Sequence, residues 1–184
     1  MRHNFRLAGL AFVVALFATA FLVPGSASAR CTSGGASPSE VDMCTPTAKA
    51  KLLPNGMLVP PKSAPPKVQA VIAAANKIRT KPYVWGGGHA RWWDRGYDCS
   101  GAVSYALHGG EFLESPLPSG PLMKWEEEGT GRWITVWSNA GHAYAEVAGF
   151  RWDTSGDAGG ETGPRWHEDL RDNVGFVPRH PVGY

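Results

Sequence analysis

Gly96-Tyr97-Asp98-Cys99-Ser100-Gly101-Ala102-Val103-Ser104-Tyr105-Ala106-Leu107-His108-Gly109-Gly110 is the stretch on which the fold turns. Cys99, Ala102, Val103, Ala106 and Leu107 recur at helical spacing, which predicts a helix starting at Asp98 or Cys99. Asp98 suits the N-cap, because its side chain can accept from a free backbone N–H. Gly109-Gly110 suits the stop. A cysteine at such a start lies among unpaired N–H groups and the positive end of the helix dipole, which favour its thiolate. The same N–H groups can hold an oxyanion. Gly101 weakens the first turn, which suggests that space is needed there for a substrate.

Upstream, Val68, Val71, Ile72, Ala75 and Ile78 predict an amphipathic helix from Pro66 to Arg79, with proline in its first turn. Pro82-Tyr83-Val84-Trp85-Gly86-Gly87-Gly88 then leads into a glycine-rich loop carrying His89, Trp92 and Trp93. Downstream the period becomes two. Trp133 to Trp137 alternates like a strand, and Ala143 to Val147 with Phe150 to Thr154 predicts a hairpin about Ala148-Gly149. The pair Phe176-Val177 suggests a last strand. Helices first and strands later predict an α+β fold, with N-terminal helices packed on a small antiparallel sheet.

A nucleophilic thiol needs a base. His142 follows Gly141 at the head of a predicted strand, where a sheet holds it rigidly, and is chosen over His89, which lies in a loop. His108 is more than two turns along the helix from Cys99, while His167 and His180 lie in polar or proline-flanked stretches. With a two-residue turn, Val147 opposes Phe150, Ala145 opposes Trp152, Glu146 opposes Arg151 and Tyr144 opposes Asp153. This register separates an apolar face from a polar one. It also sets Asp153 diagonally across from His142, as an orienting partner or as a turn-forming aspartate. Cys99, His89 and His142 lack paired metal-ligand spacing. No metal or cofactor is expected.

Residues 1–29 read as a signal peptide: Arg2 and Arg6, an apolar run from Leu7 to Val23, the breaker Pro24-Gly25 and the small-x-small site Ala27-Ser28-Ala29. A retained anchor is the alternative, since the run approaches spanning length. Removing it takes away two of the 18 basic residues and none of the 16 acids, which leaves no net charge. The basic excess of a nucleic-acid binder is absent, and no polybasic run suggests membrane attachment once the signal is gone. Residues 30–65, punctuated by prolines, read as a leader stapled by a Cys31–Cys44 disulfide. Residues 66–184 then form the domain, expected to act as a monomer. Cys99 is left as the unpaired thiol. Most of the eight tryptophans are expected in the core, while Trp92 and Trp93 either pack or stack on glycan or peptide.

Taken together, Tyr83-Val84-Trp85-Gly86-Gly87, Asp98-Cys99-Ser100-Gly101 and Gly141-His142 resemble, in order, the motifs of the NlpC-type cell-wall peptidases. The resemblance runs from about Val68 to Thr154. It implies a papain-like fold and a secreted, wall-associated cysteine peptidase cleaving peptidoglycan stem peptides, usually between γ-D-glutamate and diaminopimelate. It implies Cys99 as nucleophile and His142 as general base. Tyr83, Asp98 and Ser100 match positions lining the substrate pocket near the peptide's free amino end. The family's third polar residue is commonly His, Asn or Gln on the next strand. No such residue stands here, so Asp153 takes that place. A thiol amidase or acyltransferase of similar architecture, and a secreted wall-binding protein or effector without catalysis, are the competing readings.

Overall fold

The structure is a computed structural model that describes residues 49–156 and 162–184. The signal segment, Cys31 and Cys44 lie outside the described residues. Two helices, α1 (Pro66–Ile78) and α2 (Cys99–Gly109), pack on each other and against one antiparallel sheet. The sheet holds β3 (Glu127–Glu128), β4 (Ile134–Ser138), β5 (Ala143–Val147), β6 (Phe150–Asp153), β7 (Arg165–His167) and β8 (Val177–His180). Its spatial order is β3-β8-β4-β5-β6-β7, so β4 to β7 form a meander and β8 returns to the free edge of β4. A short helix, α3 (Ser119–Leu122), lies between the halves in sequence. The described chain is thus α+β, with helices leading and the sheet following.

The α1 stripe forms because Val68, Val71, Ile72, Ala75 and Ile78 fall on one face, and all five are fully buried. Burying each Val or Ile stabilises the fold by about 1.5–3 kcal/mol. They share one core cluster with Ala102, Val103, Ala106 and Leu107 of α2, which in turn packs on β5 and β6, and with Ile134, Val136, Ala145, Val147 and Trp152 of the sheet. Trp152 satisfies its own indole by donating to the Ala102 carbonyl at 3.1 Å. The helices meet closely at the end of α2, where a Cβ on Gly109 would strike the Ala74 methyl.

The hairpin register pairs Val147 with Phe150, Glu146 with Arg151 and Ala145 with Trp152. Ala148 and Gly149 both take positive φ, as the tight inter-strand turn requires. The face carrying Tyr144 and Arg151 is not a solvent face, however, because both residues are buried. Phe176 and Arg171 cover Tyr144 from outside.

Within the stretch 30–65 that the sequence reads as a leader, β1 (Lys51–Leu52) and β2 (Leu58–Val59) form a hairpin packed against α1. Leu58 is only 1 % exposed. The prolines that suggest a leader stand at the hairpin turn (Pro54) and after β2 (Pro60, Pro61), where a missing N–H costs no ladder bond. Buried Asn76 on α1 ties this hairpin down. Its Oδ1 accepts from the Leu58 N–H at 2.9 Å and from Trp166 Nε1 at 3.0 Å, and its Nδ2 donates to the Leu58 carbonyl at 2.8 Å. Asn76→Ala would strand three buried groups, at about 1–3 kcal/mol each before relaxation. The expected loss is about 3 kcal/mol, read as a lower urea midpoint with an unchanged slope.

Candidate active site

The site is assembled from the start of α2, the glycine loop before it and the β5–β6 hairpin. Asp98 caps α2: its backbone is extended and its Oδ1 accepts from the Gly101 N–H at 2.7 Å. The helix therefore begins at Cys99, a free and partly exposed thiol. The glycine loop is seated directly against this turn. The Gly87 carbonyl accepts from the Asp98 N–H, and a Cβ on Gly101 would collide with that same carbonyl. Gly101 is thus required for loop-to-helix packing rather than for substrate room.

His142 stands immediately before β5, held by a compact loop. Asn139 Oδ1 accepts from the N–H groups of both Gly141 and His142 at 2.9 Å, and the Asn139 N–H donates to the His142 carbonyl. The imidazole and the Ala143 N–H both lie on the Cys99 side chain's side of the site and favour its thiolate. On its other side, His142 Nε2 donates to Asp153 Oδ1 at 2.9 Å. A carboxylate only accepts, so Nε2 carries a proton and Nδ1 is left for the thiol. His142 is thus bonded to Asp153 and acts electrostatically on the Cys99 sulfur.

Burial works against charge at each member, and at each it is outweighed. For His142, desolvation lowers the pKa. The bonds and charges of Asp153 and Cys99 raise it more, to about 9. For Cys99, burial raises the pKa, but the bonds from His142 and the Ala143 N–H bring it below its ordinary value. For Asp153, burial again raises it, while the bond and charge of His142 and the bonds from Arg151 and Arg171 bring it down to about 2. These directions together favour a thiolate–imidazolium pair backed by an ionised carboxylate.

The two arginines on Asp153 carry no signal in the sequence. Arg151 Nη1 and Arg171 Nη1 both donate to Asp153 Oδ2, at 2.7 and 2.9 Å, and Arg151 is fully buried. Arg151 also donates to the Ser155 and Asp169 carbonyls. Its place opposite Glu146 is legible in the pairing, but its burial is not, because nothing in the local pattern shows what covers that face. The Thr154 N–H donates to Asp153 as well, at 2.7 Å, so the turn role and the ring contact coexist in one side chain.

Tyr83, Asp98 and Ser100 lie at the same end of α2. Burial first, then the charges of Cys99 and Asp98, raise the Tyr83 pKa, so its hydroxyl keeps its proton. Ser100 Oγ donates to Asp98 Oδ1 at 3.2 Å. The remaining histidines are engaged elsewhere. His108 bonds the Leu113 carbonyl and stacks on Trp92 at 3.9 Å, His180 contacts Glu127, and His167 is buried in β7. His89, the second choice as base, contacts Asp98 and Ser100. Trp92 is thus a packing residue, whereas Trp93 stays 56 % exposed under Lys81, and Trp85 in the glycine loop is 86 % exposed.

No protein-family model matches the chain, and no curated protein sequence does. Among solved structures the chain is similar to the peptidoglycan hydrolase RipB of Mycobacterium tuberculosis. Identity there is 23%, over 61% of this chain and 64% of that one, with a TM-score of 0.46. A variant of the resuscitation promoting factor interacting protein RipA is 18% identical, over 64% of this chain and 63% of that one, with a TM-score of 0.48. RipD of Mycobacterium tuberculosis, a non-catalytic NlpC/p60 domain protein adapted to peptidoglycan binding, is 18% identical over 63% of this chain and 98% of that one, with a TM-score of 0.45. The chain spans less than two thirds of the RipA and RipB chains it matches.

Proposed function

We propose that this chain is a secreted cysteine endopeptidase that hydrolyses amide bonds of peptidoglycan stem peptides, with γ-D-glutamyl-diaminopimelate as the bond suggested by the motif resemblance. The observation that carries the reading is the arrangement Cys99–His142–Asp153, with its thiol at the start of α2. The thiolate attacks the amide carbonyl carbon. Negative charge gathers on the oxygen, beside the backbone N–H groups of Cys99 and Ser100 at the start of α2, ahead of the capped Gly101 N–H. The imidazolium then gives its Nδ1 proton to the leaving nitrogen, the C–N bond breaks, and a new amino terminus departs. Water adds to the thioester, the now neutral imidazole takes its proton, and the acid and thiol are released. Asp153 keeps the ring in the tautomer that both steps need.

The test is digestion of defined muropeptides, followed by labelling and mass analysis of new amino groups. The expected product is a free diaminopimelate amine that disappears when Cys99 is alkylated. Binding of the same muropeptides without any new amine, with or without alkylation, would replace the enzyme reading with wall binding alone. Release of an amine together with transfer of the acyl group to another acceptor would identify an acyltransferase.

The active form requires Cys99 ionised and His142 protonated. Since His142 titrates at about 9, kcat/KM is expected to fall on the alkaline side as pH rises through about 9. It is expected to fall on the acid side as pH drops through the depressed thiol value. Rate measurements on a muropeptide across this range check both limbs.

A further inference from the structure

We propose that Phe176 is a positioning residue for the His142–Asp153 pair: its ring shields their hydrogen bond from water and holds the imidazole at a fixed angle. What the pair acts on rests on the peptidase reading above. The packing of the ring rests on geometry.

The connection between β7 and β8 ends in Asn173-Val174-Gly175-Phe176. The Phe176 N–H donates to the Asn173 carbonyl at 3.0 Å, and Gly175 takes a φ of +83°. These four residues form a β-turn whose third position calls for glycine. The first residue of the turn is pinned to the sheet, because the Tyr144 hydroxyl donates to Asn173 Oδ1 at 2.6 Å. The turn therefore delivers the Phe176 ring to one place, just before β8 begins at Val177.

That place touches both ends of the pair. The Phe176 ring centroid lies 6.2 Å from that of His142, with the planes at 79°, and 5.2 Å from that of Tyr144, at 74°. Tyr144 is itself 6.3 Å from His142, so two aromatic rings wall the imidazole. At the carboxylate end, the Arg171 guanidinium sits over both rings, 5.5 Å from Phe176 and 5.2 Å from Tyr144. Its Nη1 donates to Asp153 Oδ2 at 2.9 Å. Phe176 thus packs against the imidazole and against a group that holds the carboxylate. Under this cover the Asp153 side chain has no exposed surface, and that of His142 is 21 % exposed.

Two consequences follow from elementary physics. A hydrogen bond kept from water is electrostatically stronger than one in contact with it. Perpendicular aromatic contacts prefer one geometry, so they resist rotation of the imidazole. A freely turning ring would carry Nδ1 away from the sulfur part of the time, and reactions of this kind depend steeply on such alignment. Phe176 is half-buried and stands outside the helix–sheet core. Among the described residues its ring contacts are His142, Tyr144 and Arg171. Its loss should therefore tell on the pair before it tells on the fold.

Two readouts on the full chain test this: turnover of a muropeptide, and proton NMR of the His142 Nε2–H, identified by its loss in His142→Ala. In the parent this proton is expected to exchange with water at least tenfold more slowly than in Phe176→Ala. Phe176→Ala is expected to lose at least tenfold in kcat while KM moves less than threefold. Phe176→Leu, which keeps an apolar cover, should recover most of both effects. A parent proton that exchanges too fast to be seen would overturn the proposal without any variant. Exchange or kcat that Phe176→Ala leaves unmoved would also overturn it, and so would a loss carried wholly by KM, which would make Phe176 a substrate contact. Slow exchange that depends on Phe176, with no muropeptide turned over, would keep the positioning role and remove the peptidase reading. Turnover with exchange indifferent to Phe176 would do the reverse, and fast exchange without turnover would remove both.

Discussion

The His142→Ala chain is expected to lose roughly a thousandfold or more in kcat/KM for amide hydrolysis, within the range found for removal of a general acid–base group. The same change should slow alkylation of Cys99 by iodoacetamide near neutral pH. In the parent, the imidazole bond and charge overcome the burial that raises the thiol pKa. Without the ring, burial and the nearby Asp98 charge remain, and both push the pKa upward. The bond from the Ala143 N–H is the one favourable contact left, and it is a neutral donor. Only the thiolate reacts, so the alkylation profile should move to higher pH along with the loss of turnover. Alkylation needs no substrate, so it reports on the sulfur whatever peptide is used. An unchanged alkylation profile would show that the ring does not govern the thiol.

Asp153→Ala is expected to damage both catalysis and the fold. Asp153 has no exposed side-chain surface, and it receives His142, Arg151 and Arg171 together. Removing it takes away the buried charge partner of the Arg151 guanidinium and leaves it only the exposed Asp169 carboxylate, at 3.1 Å. Breaking one side of a buried pair costs about 3–5 kcal/mol, which corresponds to a fall in Tm of about 10–20 °C for a domain of this size. Asp153→Asn separates the two effects, because the amide keeps the shape and loses the charge. Its loss should lower the His142 pKa, which the carboxylate helps to raise to about 9, and shift the alkaline limb of kcat/KM to lower pH. The linkage has opposite signs at the two groups. Asp153, depressed to about 2, contributes stability above its ordinary carboxylate value, and that contribution is lost as pH falls through about 2. His142, raised to about 9, contributes stability below its ordinary value of 6.5, lost as pH rises through about 9. Thermal melts of the parent and Asp153→Asn across pH measure both.

The parts of this arrangement that depend on local periodicity are legible in the amino-acid sequence. Helical spacing locates α2 with Asp98 as its cap, and strand alternation yields the β5–β6 register that sets Asp153 across from His142. What periodicity does not reveal is set by contacts between distant segments. The β1–β2 hairpin is two residues deep on each side and interrupted by prolines, so no period can mark it. It owes its place to Asn76, 18 positions from Leu58. Arg171 reaches Asp153 from a segment without regular structure, and Arg151 is buried by neighbours that no local pattern names. His89 ranks below His142 as a base because loops are poor platforms. Its tether to Asp98 exists only once the loop is folded over α2.

A thiol whose pKa is lowered at a partly open position also has a chemical liability. A thiolate also attacks peroxide, giving a sulfenic acid and releasing hydroxide. Cys99 is the sole cysteine among the described residues, so no resolving thiol stands in this part of the molecule. Recovery there depends on a reductant from outside. In an oxidising setting the working life of the site is therefore governed by ambient oxidant and small thiols as much as by the durability of the fold.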